Sequence, residues 1–200
     1  MRAVQVGGGR HAYSMRPLAA VVVGVFIAMG VTACGGGHKN SGNPDAHASY
    51  ATLVGASVTL LGKGNPGAAE QLLEQAVTKN PHSPVAYYDL GVAYQRQGKT
   101  RQAARNYLHA IAVDRNYVPA LFNQAEIFAK RNAPLAIFYY RRIIHLKPDS
   151  PTAYLNLGLL EAATKALHRQ AVADLAQALK LDPSLREQVP APLRAGLPKR

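Results

Sequence analysis

The chain has 200 residues, of which 48% are hydrophobic, and a formal net charge of +12. This length allows one ordinary domain with appendages, and the single cysteine excludes an internal disulfide bond. The 23 lysines and arginines are spread without any run of five, which favours a solvated basic surface over binding to an anionic membrane surface, acidic proteins or nucleic acid.

Residues 1–33 have the pattern of an export signal. The stretch 18–31 contains no charge, and as a helix it would span about 21 Å, short of a hydrocarbon core of about 30 Å. Basic residues precede it, as in a signal peptide. The alternatives are an uncleaved short anchor or a buried core segment, and translation could begin at Met1 or at Met15.

The four residues Val31-Thr32-Ala33-Cys34 follow this stretch directly. They resemble the lipobox of bacterial lipoproteins, in which an aliphatic residue and two small residues precede a cysteine. The resemblance implies that Cys34 is lipidated and becomes the N-terminus after cleavage. Residues 34–48 are rich in glycine and polar side chains, so we expect a flexible linker.

A helical pattern then recurs along the chain. An alanine followed four residues later by an aromatic residue or leucine begins each copy, and these alanines are Ala69, Ala103, Ala136 and Ala171. They are spaced by 34, 33 and 35 residues, close to a known period of helix–turn–helix repeats. Each copy follows a segment with apolar residues at helical spacing, which predicts two amphipathic helices per repeat.

The best copy reads PVAYYDLGVAYQRQGKTRQAARNYLHAIAVDRN and resembles the tetratricopeptide repeat family. The resemblance covers Tyr50 to about Leu185 and implies an all-α fold, a right-handed α-solenoid of about four repeats. We expect this domain over 49–185, followed by a short cap and disordered tail over 186–200, because Pro190 and Pro192 interrupt any helix. The predicted repeats are 50–83, 84–117, 118–150 and 151–185.

The sequence gives no sign of a catalytic or metal site. None of the seven histidines pairs with another at metal-ligand spacing, and no glycine-rich phosphate loop follows a predicted strand. We therefore predict no enzyme activity, cofactor, metal or small-molecule substrate.

The family resemblance implies a concave groove lined by the first helix of each repeat. We expect Asn123 and Asn156 to hold a peptide backbone, and Arg96 and Lys130 to pair with an acidic ligand; alternatively, these side chains merely coat the groove. The groove positions carried over to this chain are Tyr88, Asp89, Val92, Gln95, Arg96, Phe122, Asn123, Glu126, Lys130, Leu155, Asn156 and Leu159.

Together these features predict an exported, membrane-anchored lipoprotein of a bacterial cell envelope. It would bind protein or peptide segments and act as a scaffold or adaptor in an envelope assembly. In the alternative, the basic surface holds an acidic envelope polymer or nucleic acid. The partner and the oligomeric state stay open.

Overall fold

A computed structural model describes residues 48–163 and 168–197, and no strand occurs in these ranges. The helices form four consecutive pairs, and a 3₁₀ helix and a short last helix follow them. The helices are α1 (Tyr50–Gly62), α2 (Pro66–Lys79), α3 (Pro84–Arg96), α4 (Thr100–Val113), α5 (Val118–Ala129), α6 (Ala133–Leu146), α7 (Pro151–Ala162), α8 (His168–Leu181), the 3₁₀ helix Pro183–Gln188 and α9 (Ala191–Arg194).

Local sequence signals set where the helices begin. The side chains of Ser49, Asn65, Ser83 and Asn132 each accept a hydrogen bond from a backbone N–H of the first turn, which satisfies a donor that the helix itself leaves unpaired. Prolines stand in the first turn of five of the paired helices, where a missing N–H costs nothing.

In the second and fourth repeats, the two helices meet at a glycine. Gly91 of α3 lies against the ring of Tyr107 in α4, and a Cβ at Gly91 would be 2.5 Å from the Tyr107 Cε1 atom. Gly158 of α7 lies in the same way against Leu175 and the carbonyl of Ala171 in α8. The paired helices of these two repeats therefore approach each other closely.

Each repeat also packs on the next one. One hydrophobic cluster contains Leu121 of α5, Tyr140 and Ile143 of α6, and Ala153 and Leu157 of α7. Because α5 and α6 belong to the third repeat and α7 to the fourth, this cluster joins the two repeats across their boundary. The domain is an α-solenoid, as predicted, in which neighbouring repeats bury each other's apolar faces.

Residues 186–200, predicted to form a short cap and a disordered tail, pack on the fourth repeat through Leu197. Val189 is fully buried and Leu197 is 4% exposed, and both pack with Leu155 and Leu175 of the fourth repeat. Pro190 caps α9, so the prolines begin a short helix. The tail through Leu197 covers the end of the solenoid; residues 198–200 lie outside the described ranges.

The predicted signal peptide, the lipidated Cys34 and nearly all of the predicted linker lie in residues 1–47, outside the described residues. Within the described ranges, every helix is too short or too polar to cross a lipid bilayer.

We predict that Gly91→Ala lowers the free energy of unfolding by roughly 1–3 kcal/mol, because the new methyl group would overlap the buried Tyr107 ring. Chemical denaturation of the full chain measures the change. Gly55→Ala is the matched control, since Gly55 lies within α1 with no atom near the added Cβ; it should raise stability by about 0.5–1 kcal/mol. Equal effects of the two substitutions would contradict the close contact.

We predict that Leu197→Ala costs about 2 kcal/mol or more of folding free energy, as expected for a buried leucine. The same denaturation experiment applies. Leu181→Ala is the control, since Leu181 is 38% exposed and should change stability far less. If Leu197→Ala had no effect, the tail would not be packed on the fourth repeat.

Candidate functional site

A row of polar residues runs along the first helices of the second, third and fourth repeats. Asp89, Asn123 and Asn156 are each the sixth residue of their helix and are partly exposed. We refer to these three residues as the polar row, and to the surface that the first helices present there as the first-helix face.

The two asparagines of the polar row are held by buried tyrosines of the preceding repeat. The Asn156 Nδ2 group donates to the Tyr140 hydroxyl at 3.2 Å. Asn123 lies beside the hydroxyl groups of Tyr88 and Tyr107 and lowers the pKa of both, although burial raises it overall. The bond to Tyr140 orients the Asn156 amide before any ligand binds, while an amide retains further donor and acceptor positions.

Asp89 lacks the tyrosine that supports the other two members. Each asparagine follows its tyrosine by 16 residues, but the residue at that distance before Asp89 is Leu73. Among the described residues, no hydrogen bond or ion pair to Asp89 forms. Burial without a partner disfavours the charged form, and it raises the pKa of this carboxyl to about 6.

Aromatic side chains flank the polar row. The Tyr88 ring lies 5.9 Å from the ring of Tyr107 and 5.7 Å from that of Tyr117. Phe122 meets Tyr140 edge to face at 5.5 Å. Rings held by other rings offer contact area with little conformational entropy to lose.

Arg96 and Lys130, for which pairing with an acidic ligand is predicted, each interact with a neighbouring group of the chain. The Arg96 guanidinium donates to the Leu61 carbonyl, next to the C-terminus of α1, where a cation is favourable. The positive charge of Lys130 acts on Glu126, whose pKa burial nevertheless raises. Both cations therefore interact with other groups of the protein. Asp89 is the charged residue of the polar row, and among the described residues it has no partner of opposite charge.

The other predicted groove residues are placed unevenly. Gln95 is exposed and its Oε1 atom accepts from the Tyr107 hydroxyl at 2.5 Å. Val92 and Leu159 are half-buried against hydrophobic clusters. Leu155 is fully buried beneath the C-terminal tail, so its predicted place on an open groove is wrong.

Sequence reasoning missed Tyr107 and Tyr140, which are buried and support the polar row. The signal that could have found them is the constant separation of 16 residues between tyrosine and asparagine in consecutive repeats. Within the described ranges, no group of three or more histidine, cysteine or acidic residues is arranged for metal binding.

This architecture is that of a repeat solenoid with one polar and aromatic face. Family models described as tetratricopeptide repeat match residues 60–126 and 129–186, more than half of the chain. The chain belongs to the tetratricopeptide repeat family.

Solved structures of the same class are similar to it. The structure of MamA is 27% identical, with a TM-score of 0.62 over 69% of this chain and 81% of that one. TTC0263 of Thermus thermophilus, a thermophilic tetratricopeptide repeat protein, is 24% identical, with a TM-score of 0.56 over 69% and 78%.

YrrB, described as a tetratricopeptide repeat protein with an unusual peptide-binding site, is 18% identical, with a TM-score of 0.59 over 74% and 73%. At such identities TTC0263 and YrrB support the fold alone. A search of curated proteins finds no match.

We predict that Asp89 makes folding stability fall as pH rises. Its folded-state pKa of about 6 lies above the ordinary value, so between about pH 4 and pH 6 the folded chain binds more protons than the unfolded chain. Stability from this group is therefore present at low pH and is lost as pH rises through 6. Thermal denaturation between pH 4 and pH 6 should show a smaller loss of folding stability with rising pH for Asp89→Asn than for the unchanged protein.

The control is Asp149→Asn, because Asp149 is exposed in the turn before α7. It should keep the fall in stability seen in the unchanged protein. Identical pH profiles for the unchanged chain and Asp89→Asn would mean that Asp89 is not desolvated.

Proposed function

We propose that this protein is a scaffold that binds a segment of another polypeptide along its first-helix face, and that it binds without catalysis. The observation that carries the proposal is the polar row, in which Asn156 donates to the buried Tyr140 hydroxyl and Asn123 lies beside the buried Tyr107. A site whose donors and acceptors are already ordered loses less entropy when a ligand binds.

The polar row also indicates the kind of segment. Asn123 and Asn156 can use their remaining amide positions on a peptide backbone, while Tyr88 and Phe122 supply apolar contact. Asp89 provides an unpaired acceptor. We infer an extended segment with apolar side chains and a donor, cationic or backbone, opposite Asp89.

We further propose that the protein is anchored to the membrane of a bacterial envelope. The support is the sequence alone: the apolar stretch 18–31, the lipobox-like residues ending in Cys34, and the glycine-rich residues after it. In this proposal the lipid holds the solenoid near the membrane, where it recruits a partner in an envelope assembly.

A second candidate follows from the net charge of +12 and the exposed Arg101 and Arg105 of α4. These residues lie on a second helix, away from the polar row. They would hold an acidic envelope polymer or nucleic acid through charge.

Crosslinking the lipidated full chain in membranes and capturing its partners distinguishes peptide binding from acidic-polymer binding. We predict that Tyr88→Ala and Asp89→Asn each reduce capture of the main polypeptide partner about tenfold, as the loss of a central contact does. Arg101→Ala with Arg105→Ala is the matched control and should leave capture unchanged. Circular dichroism checks that every variant is folded.

A salt series completes the test. Binding through the first-helix face should change little with salt, whereas binding of an acidic polymer weakens steeply. If the arginine pair abolished capture and the first-helix variants did not, the peptide-binding proposal would be wrong.

A further inference from the structure

A cavity of about 290 Å³ lies between α6, α7 and α8, apart from the polar row. Ile144, Tyr154 and Leu157 contribute to its walls, and Arg141, Glu161 and Asp174 contribute its charged groups. This volume is at the lower limit of ordinary ligand pockets, roughly 300–1,000 Å³. The cavity therefore suits one side chain or a small molecule.

Glu161 is out of place in the repeat pattern. It is the eleventh residue of its first helix, and the eleventh residues of the other first helices are Leu60, Tyr94 and Phe128. Those three side chains pack against the hydrophobic core. Glu161 is fully buried although it is acidic, so packing alone does not account for it.

The two oxygens of the Glu161 carboxylate have different surroundings. Oε1 accepts a hydrogen bond from the Arg141 Nη2 group at 2.7 Å. Oε2 is buried and has no hydrogen-bond partner among the described residues. A buried acceptor without a partner costs folding free energy, and a bound donor would remove that cost.

Asp174 of α8 places a second carboxyl group beside the first. Burial and the neighbouring Glu161 raise the pKa of Asp174 to about 6, against the opposing charge of Arg141. Above that pH, two carboxylates face a single guanidinium, and the cavity has a net negative charge.

We propose that this cavity binds an alkylammonium group, with the ammonium at Glu161 Oε2 and Asp174 and the alkyl chain between Ile144, Tyr154 and Leu157. An ammonium carries three donors on one atom, which suits one free oxygen and a nearby carboxylate. A guanidinium prefers both oxygens of one carboxylate, and Arg141 already holds Oε1. The source is either a lysine side chain of a partner or a free alkylamine.

Chemical-shift titration of the full chain at pH 8 tests this site. The probes are butylammonium and Nα-acetyl-lysine methylamide, and Nα-acetyl-norleucine methylamide is the uncharged control. We expect saturable shifts at Leu157 and Ala173, which line the cavity, with the charged probes alone. Stronger binding of the lysine derivative would identify a partner's side chain as the source, and stronger binding of butylammonium a free amine.

Glu161→Gln and Asp174→Asn should each weaken binding of the better probe about tenfold or more, because each removes one negative charge. Glu187→Gln is the matched control, since Glu187 forms an exposed ion pair with Arg194 outside the cavity. Glu161→Gln should also raise the melting temperature, since it removes a buried charge. If Glu161→Gln does not fold, Asp174→Asn still tests the proposal.

Absence of saturable shifts, or equal binding by Glu161→Gln and the unchanged chain, would overturn the proposal. Tyr88→Ala should leave the titration unchanged, so failure here is distinguishable from failure of peptide binding on the first-helix face.

Discussion

The close contact between the two helices of a repeat is the constraint on which the rest of the structure depends. Gly91 and Gly158 let α3 and α7 approach the buried side chains of α4 and α8. This approach orients the first helices, because each second helix then presents its remaining apolar side to the following repeat. Repeats stacked in this way contact only their neighbours and do not close around a central core. One surface of the first helices therefore stays outside the hydrophobic core.

The polar row is a consequence of that stacking. Tyr107 and Tyr140 are buried by their own repeats, yet their hydroxyl groups reach the asparagines of the next repeat. Leu73 stands at the corresponding place in the first interface and has no hydroxyl to offer Asp89. Residues that depart from the repeat pattern thus carry unsatisfied groups, among them Asp89 on the first-helix face and Glu161 in the cavity.

Much of this architecture could be predicted from the sequence, because helix spacing, caps and glycine contacts are local signals with a constant period. The position of Leu155 could not, because its burial depends on the tail folding back over the fourth repeat. In that tail, Pro190 and Pro192 stand at the start of α9, where proline is tolerated. The Tyr–Asn bonds join different repeats and are visible in sequence only as a separation of 16 residues.

Site-specific photo-crosslinking in the native membrane would test most directly whether the first-helix face holds a polypeptide. A photoreactive residue would replace the exposed Gln95 of α3 or Lys130 at the end of α5, and the exposed Arg105 or His145 of second helices. We predict discrete polypeptide adducts from the first two positions and not from the other two. Adducts confined to Arg105 and His145 would contradict it.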